Sequence, residues 1–178
     1  MLQGEKVRLR APERMDIPAF LRWLNDQEVT EFLDIEPPMG MEQEEAWFDS
    51  LRNSDTEIFS IETHDGELVG NIGLMKFDWV ARKVTIGIVI GEKSHWGSGY
   101  GSDAVKTLLR YLFDELNMNR IYLEVDTANQ RAVRCYEKCG FIREGILRQV
   151  RWKRGRFKDN YAMSILKDEW NLKHPNLR

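Results

Sequence analysis

Cysteine is scarce in this chain: two among 178 residues, too few for a disulfide framework. Long apolar runs are missing too. No stretch approaches the roughly 18 consecutive apolar residues of a membrane helix, and Met1-Leu2-Gln3-Gly4-Glu5-Lys6 lacks the apolar core of a signal peptide. There is no basic excess. Lys and Arg number 26 against 29 Asp and Glu, a formal net charge of −3, which argues against direct nucleic-acid binding. Internal repeats, low-complexity tracts and a linker are absent as well. What is present is the composition of an ordinary globule, 42% hydrophobic and 31% charged. The expectation is a single domain over residues 1–178, with a full core, in a reducing cytoplasmic setting and with no membrane contact.

The small net charge hides strong segregation. From Glu28 to Glu57 there are ten acidic residues and one base, Arg52. From Arg143 to Lys158 there are seven bases and one acid, Glu144. Charge runs of this kind are usually solvated faces, and the basic block is expected to be one.

Along the chain, Val7 to Arg10 reads as a short strand ended by Pro12. A helix opens at Asp16, where Ile17, Phe20, Leu21 and Leu24 fall on one apolar face. Pro37, Pro38 and Gly40 precede a second helix bearing Trp47, Phe48 and Leu51. Strands follow at Ile58 to Thr63, Leu68 to Phe77 and Lys83 to Ile90, the first two joined by a turn at His64-Asp65-Gly66-Glu67. Val105, Leu108, Leu109, Leu112, Phe113 and Leu116 mark the strongest helix. Arg120 to Val125 is a strand, Asn129 to Lys138 a helix stopped by Gly140, and Phe141 to Arg151 and Phe157 to Leu166 form a final hairpin. Mixed strands and helices indicate an α/β domain.

The segment His95-Trp96-Gly97-Ser98-Gly99-Tyr100-Gly101 joins a strand to the strongest helix. Such a loop can turn backbone N–H groups inward, and the helix N-terminus adds further donors, so the segment suits a phosphate. A P-loop would need Lys-Ser/Thr after its last glycine, where Ser102-Asp103 stands. A Rossmann fingerprint would need a glycine at Ser102. Gly87, inside a strand, signals a bulge or a close backbone approach. Asn129, Ala132, Val133 and Tyr136 share one helix face. Alone, Tyr136 reads as a core aromatic with a wet hydroxyl. Beside Asn129 and the glycine loop it reads as part of a site.

Three segments carry a family resemblance: Trp96-Gly97-Ser98-Gly99-Tyr100-Gly101, then Asn129-x-x-Ala132-x-x-x-Tyr136-x-x-x-Gly140-Phe141, and, near the start, Trp23-Leu24-Asn25-Asp26-Gln27-Glu28-Val29-Thr30. In these the chain resembles the GNAT superfamily of acetyl-coenzyme A-dependent N-acetyltransferases. It looks most like the ribosomal-protein (RimJ/RimL) branch, which includes polyamine acetyltransferases. The resemblance implies a central mixed, mostly antiparallel sheet of about seven strands, splayed at the cofactor site and flanked by about four helices. It implies acetyl-CoA held by backbone amides from Gly97 to Ser102, with Trp96, Gly99, Tyr100 and Gly101 in that loop. Ile88, Val89 and Ile90 would pair with the pantetheine arm, Asn129 would bond it, and Tyr136 would serve as general acid. Thr85 stands where relatives often carry a Glu, and it cannot take a proton near neutral pH.

An amine must be neutral to attack a thioester, so a base is needed as well as an acid. Glu31, Asp34 and Glu36 lie in the segment that forms the substrate cleft in the family, and any of them could act through water. A carboxylate-lined cleft would attract a cationic acceptor such as a polyamine, an aminoglycoside or a basic protein N-terminus. The competing reading is a non-catalytic CoA-binding or ribosome-associated module. Arg131 or Arg134 could reach the ribose phosphate of the cofactor. Cys135 and Cys139 lie one helical turn apart, and His64, His95 and His174 are scattered, so no metal is expected. Trp79 and Trp152 suit a substrate wall or the contact of a homodimer.

Overall fold

A computed structural model describes residues 1–35 and 37–173. Among these, the chain forms eight strands and five α-helices. In chain order they are β1 (Leu2–Gln3), β2 (Val7–Arg10), α1 (Ile17–Leu24), α2 (Met41–Ser50), β3 (Glu57–Thr63), β4 (Leu68–Asp78), β5 (Lys83–Ile90), α3 (Tyr100–Arg110), β6 (Arg120–Asp126), α4 (Gln130–Cys139), β7 (Ile142–Lys153), β8 (Arg156–Leu166) and α5 (Lys167–Lys173). The strands make one sheet in the order β1-β2-β3-β4-β5-β6-β8-β7. Every pairing is antiparallel except β5 with β6. The expected mixed sheet is therefore present, with one strand and one helix more than the apolar pattern announced. β1 is too short to show a period, and α5 hides behind its charged residues while burying Trp170 against Phe113, ring centroids 5.8 Å apart.

Each element follows from what it can bury. On β2, Val7 and Leu9 are fully buried while Arg8 and Arg10 reach Glu62 on β3. Arg10 also pairs with Asp16 at 2.8 Å, tying the sheet to the turn ahead of α1. On α3, Ala104, Val105, Leu108 and Leu109 form the apolar face, and a π-turn over Tyr111–Glu115 prolongs it with Leu112 and Phe113. These pack on Ile72, Leu74, Val84, Ile121 and Leu123 of the central strands. Burying each such side chain contributes about 1.5–3 kcal/mol, which overrides the modest propensity of the separate segments. Phe20, Trp23 and Val29 form a second, smaller cluster under α1.

The sheet opens at its parallel junction. β5 meets β6 only at Lys83–Thr85 against Arg120–Tyr122. Beyond that point β5 stays with β4 as far as Gly70 opposite Ile90, and β6 stays with β8 as far as Asp126 opposite Asn160. Each strand keeps only its outer partner, so a cleft forms between them. The expected irregularity at Gly87 is not there: Gly87 pairs in register with Gly73, and the β4–β5 register shifts instead between Met75 and Asp78. The close approach belongs to Gly70, where a Cβ would stand 2.1 Å from the Val89 carbonyl oxygen. At Gly87 a Cβ would meet only the Met75 methyl, at 3.5 Å.

Candidate active site

The cleft has a volume of about 1060 Å³ and opens on both faces of the sheet. On the α3 and α4 side its wall includes the glycine loop, through Gly97, Gly99 and Gly101. Gly97 and Gly99 sit at φ +76° and +89°, a left-handed conformation that costs an L side chain roughly 1–2 kcal/mol. Two such residues in close succession fold the loop back over the N-terminus of α3. Among the described residues no acceptor faces the N–H groups of Gly97, Gly99, Tyr100, Gly101 and Ser102. The carboxylate of Asp103 is turned away, accepting from the N–H groups of Glu5, Lys6 and Val7 at 2.8–3.1 Å. A nest of free donors at a helix N-terminus, with Arg131, Arg134 and Lys138 also lining the cleft, fits a pyrophosphate.

Trp96 has a defined part in this wall. Its indole N–H donates to the Ile90 carbonyl at 2.7 Å, and the Arg131 guanidinium lies 3.6 Å over its ring. The Ile90 carbonyl is thus already engaged, which narrows the strand edge expected for a pantetheine arm. Strand alternation turns the N–H and C=O of Ile88 to that same open side.

Asn129 caps α4, its Oδ1 accepting from the Ala132 N–H at 3.1 Å, and so sets the helix that carries Tyr136. Tyr136 is 6% exposed and lies edge-on to Phe141. Burial pushes its phenol well above the ordinary tyrosine range, so it keeps its proton at neutral pH. Nearby, the Cys139 thiol and the Ser102 hydroxyl bond Cys135 and pull its thiol below the usual value.

The opposite face is built from side chains. Gly73 and Gly87 stand opposite each other and leave a hollow, with Asn71 and Met75 beside it on β4. Glu124 and Asp126 of β6 and Asn160 of β8 border it. Val29, Phe32, Leu33 and Asp34 cover it from the acidic segment. That cover is clasped by the basic hairpin. Arg151 donates to Asp34 and, at 3.1 Å, to the Phe32 carbonyl, and its Nη1 lies 3.7 Å from Asp126. Lys153 reaches the carbonyls of Leu33 and Ile35, and Arg154 that of Gln27 at 3.0 Å. The expectation of a solvated basic face is therefore wrong for these residues. Arg151 is 9% exposed, because the two oppositely charged blocks meet within the chain.

The expected site residues divide accordingly. Ile88, Val89, Ile90, Trp96, Gly97, Gly99, Gly101, Ser102, Asn129, Tyr136 and Asp34 line the cleft. Ser98, Tyr100 and Glu31 are not among the lining residues. Ser98 gives its carbonyl to Lys6 at 3.0 Å, and Tyr100 packs edge-on against His95. Glu36 lies outside the described residues. Sequence reasoning missed Glu124, Asp126, Arg151 and Asn160. The first two had a signal: acidic residues alternating with Leu123 and Val125 on a strand whose other face is core.

Comparison with known proteins agrees with this geometry. The family described as Acetyltransferase (GNAT) domain matches residues 6–142. The chain is 31% identical to "Uncharacterized N-acetyltransferase p20" of Bacillus licheniformis, covering 95% of this chain and 97% of that one. It is 29% identical to a spermidine N(1)-acetyltransferase of Vibrio cholerae, covering 94% and 96% respectively. The crystal structure of spermidine N-acetyltransferase from Vibrio cholerae in complex with CoA and spermine superposes with a TM-score of 0.85 at 29% identity, over 92% of this chain and 97% of that one.

Proposed function

The chain belongs to the GNAT acetyltransferase family and draws its acetyl group from acetyl-CoA, and we propose that it delivers that group to a cationic primary amine by direct attack in a ternary complex. The acceptor class is a polyamine, a protein N-terminus or a similar amine. The observation that carries this reading is the two-faced cleft, with unpaired backbone donors and basic side chains on one face and carboxylates on the other. An anionic cofactor and a cationic acceptor are thereby drawn to opposite sides of one opening. The named relatives, spermidine acetyltransferases, support the same class of acceptor. The segment Trp23 to Thr30 supports membership of the RimJ/RimL branch.

Bound acetyl-CoA supplies a thioester whose carbonyl carbon accepts nitrogen as the C–S bond breaks. The amides of Gly97 and Gly99 to Ser102 hold the pyrophosphate, and Ile88 with Asn129 holds the arm. Tyr136 gives its proton to the departing sulfur. Burial leaves that proton on the phenol oxygen at neutral pH, available for donation. One sheet taking strands from Leu2 to Leu166 supports a single domain over residues 1–178. A cytoplasmic setting accords with the lack, among the described residues, of any helix long and apolar enough to cross a membrane. The edge strand β7, with Ile142, Ile146 and Val150 exposed, supports a homodimer.

The test is thiol release from acetyl-CoA with spermidine, an aminoglycoside and a basic peptide with a free N-terminus. Release with at least one of them is expected. Cofactor binding without release for any amine overturns the proposal.

A further inference from the structure

We propose that the acceptor is a primary amine of single positive charge that carries an apolar group beside its nitrogen and seats that group in the hollow at Gly73 and Gly87; the assignment rests on the amine-acetylation reading above and narrows it. Strand alternation puts Gly73 and Met75 on the face of β4 away from Ile72 and Leu74, which are core. The two facing glycines are the floor of the hollow. A Cβ at Gly73 would stand 2.8 Å from Ile58 Cδ1, and one at Gly87 would stand 3.5 Å from the Met75 methyl, so these two side chains wall the floor. Phe32 and Leu33 cover it from the acidic segment. All four of these apolar side chains line the cleft and are half-buried, and none belongs to either hydrophobic core. Apolar surface left wet at the wall of a cleft favours a ligand that covers it.

The charge of that face limits the acceptor further. Three carboxylates border it, Asp34, Glu124 and Asp126. Two cations of the hairpin are folded in with them. Arg151 pairs with Asp34 and lies 3.7 Å from Asp126, and Lys153 donates to the carbonyls of Leu33 and Ile35. Among these described residues one negative charge is left over, which matches one ammonium. A linear polyamine carries several charges. Those beyond the first would lie against Phe32, Leu33, Ile58 and Met75, where an ammonium taken out of water finds no partner. A single ammonium flanked by an alkyl or aryl group sets its charge among the carboxylates and its apolar body on those same side chains. Two sources share this chemistry: a small apolar amine, and a peptide N-terminus whose first side chain is apolar.

The experiment measures thiol release from acetyl-CoA with two pairs of acceptors, each pair matched in basicity. One pair is a tripeptide amide beginning with leucine against one beginning with glycine; the other is phenylethylamine against spermidine. In at least one pair the apolar member is expected to show the higher kcat/KM, by about tenfold to a hundredfold, as the burial of one such group allows. The pair that shows it identifies the source. Met75→Gln keeps the length of the side chain and makes the wall polar, and should cut that preference by about tenfold. Phe32→Ser opens the cover and should act in the same direction, so the outcome does not depend on one variant folding. KM for acetyl-CoA should move in neither. An apolar member that gains nothing over its counterpart in either pair overturns the assignment, and release with any of the four leaves the amine reading standing. A preference unchanged in both variants also overturns it, because the hollow would then not be its origin. So does a preference lost only together with the affinity for acetyl-CoA, because the two residues would then serve the fold. No release from the unaltered chain with any amine overturns the amine reading, and this assignment with it.

Discussion

The two faces of the split sheet are made in different ways. The face toward α3 and α4 joins a glycine loop to basic side chains, drawn from two short stretches, residues 88–102 and 129–138. The opposite face sets carboxylates and apolar side chains around the two facing glycines, drawn from residues 29–34, 71–75, 124–126 and 151–160, which meet only when the sheet closes. Backbone donors at glycines with positive φ recognise a phosphate whatever the neighbouring side chains are. Carboxylates suit a cation, and the buried Arg151 holds their cover in place. On the proposed reading, the cofactor and the acceptor meet different surfaces of one cleft.

The sharpest way to break this division is at the residue between the faces. Tyr136→Phe is expected to lower kcat by about 10²–10⁴ with KM for both substrates little changed, as measured by thiol release. Unchanged turnover with a full acceptor would remove Tyr136 from the chemistry. Next is the clasp. Arg151→Met leaves Asp126 buried without its cation and frees Asp34, and should cost about 3–5 kcal/mol in a urea melt. Where the chain stays folded, KM should rise for the amine and not for acetyl-CoA. A rise in both would mean that the faces are coupled. On the cofactor face, Gly99→Ala forces a side chain into φ +89°, and should cost about 1–2 kcal/mol in the same melt. It should raise KM for acetyl-CoA and leave the amine alone, the mirror image of Arg151→Met. The smallest effect is chemical labelling. Because neighbouring hydroxyl and thiol donors favour its thiolate, Cys135 should alkylate at lower pH than a free cysteine, its rate rising with pH as the thiolate forms. CoA should slow that reaction and the acceptor amine should not. Mass spectrometry of the labelled peptide separates Cys135 from Cys139, whose thiol is kept protonated by its hydrogen bond to Cys135 and by burial.

Legibility followed the same boundary. The glycine loop, Asn129 and Tyr136 were readable because their signals are local: a strand, a turn that demands positive φ, and a helix face with one repeating spacing. Ser98 and Tyr100 belong to the motif, yet one answers to Lys6 and the other to His95, and nothing in the spacing separates residues that line the cleft from residues that brace it. The acidic segment was read as the acceptor site. Only its cover lines the cleft, through Asp34, and that charge is answered by Arg151 more than a hundred residues later. Nothing in the spacing along β6 sets Glu124 apart from an ordinary exposed strand residue. It has no ion-pair partner among the described residues, whereas the other carboxylates of the cleft are paired, and pairing is invisible in one dimension.

By itself, then, the sequence determined the family and the donor of the acetyl group, since the motifs that carry them lie within a few residues along the chain. The tertiary structure decided how the charges are matched. The near-neutral total conceals an acidic segment and a basic hairpin that bind each other. Coulomb energy depends on distance in space, so only the folded sheet could decide which charges of the cleft cancel.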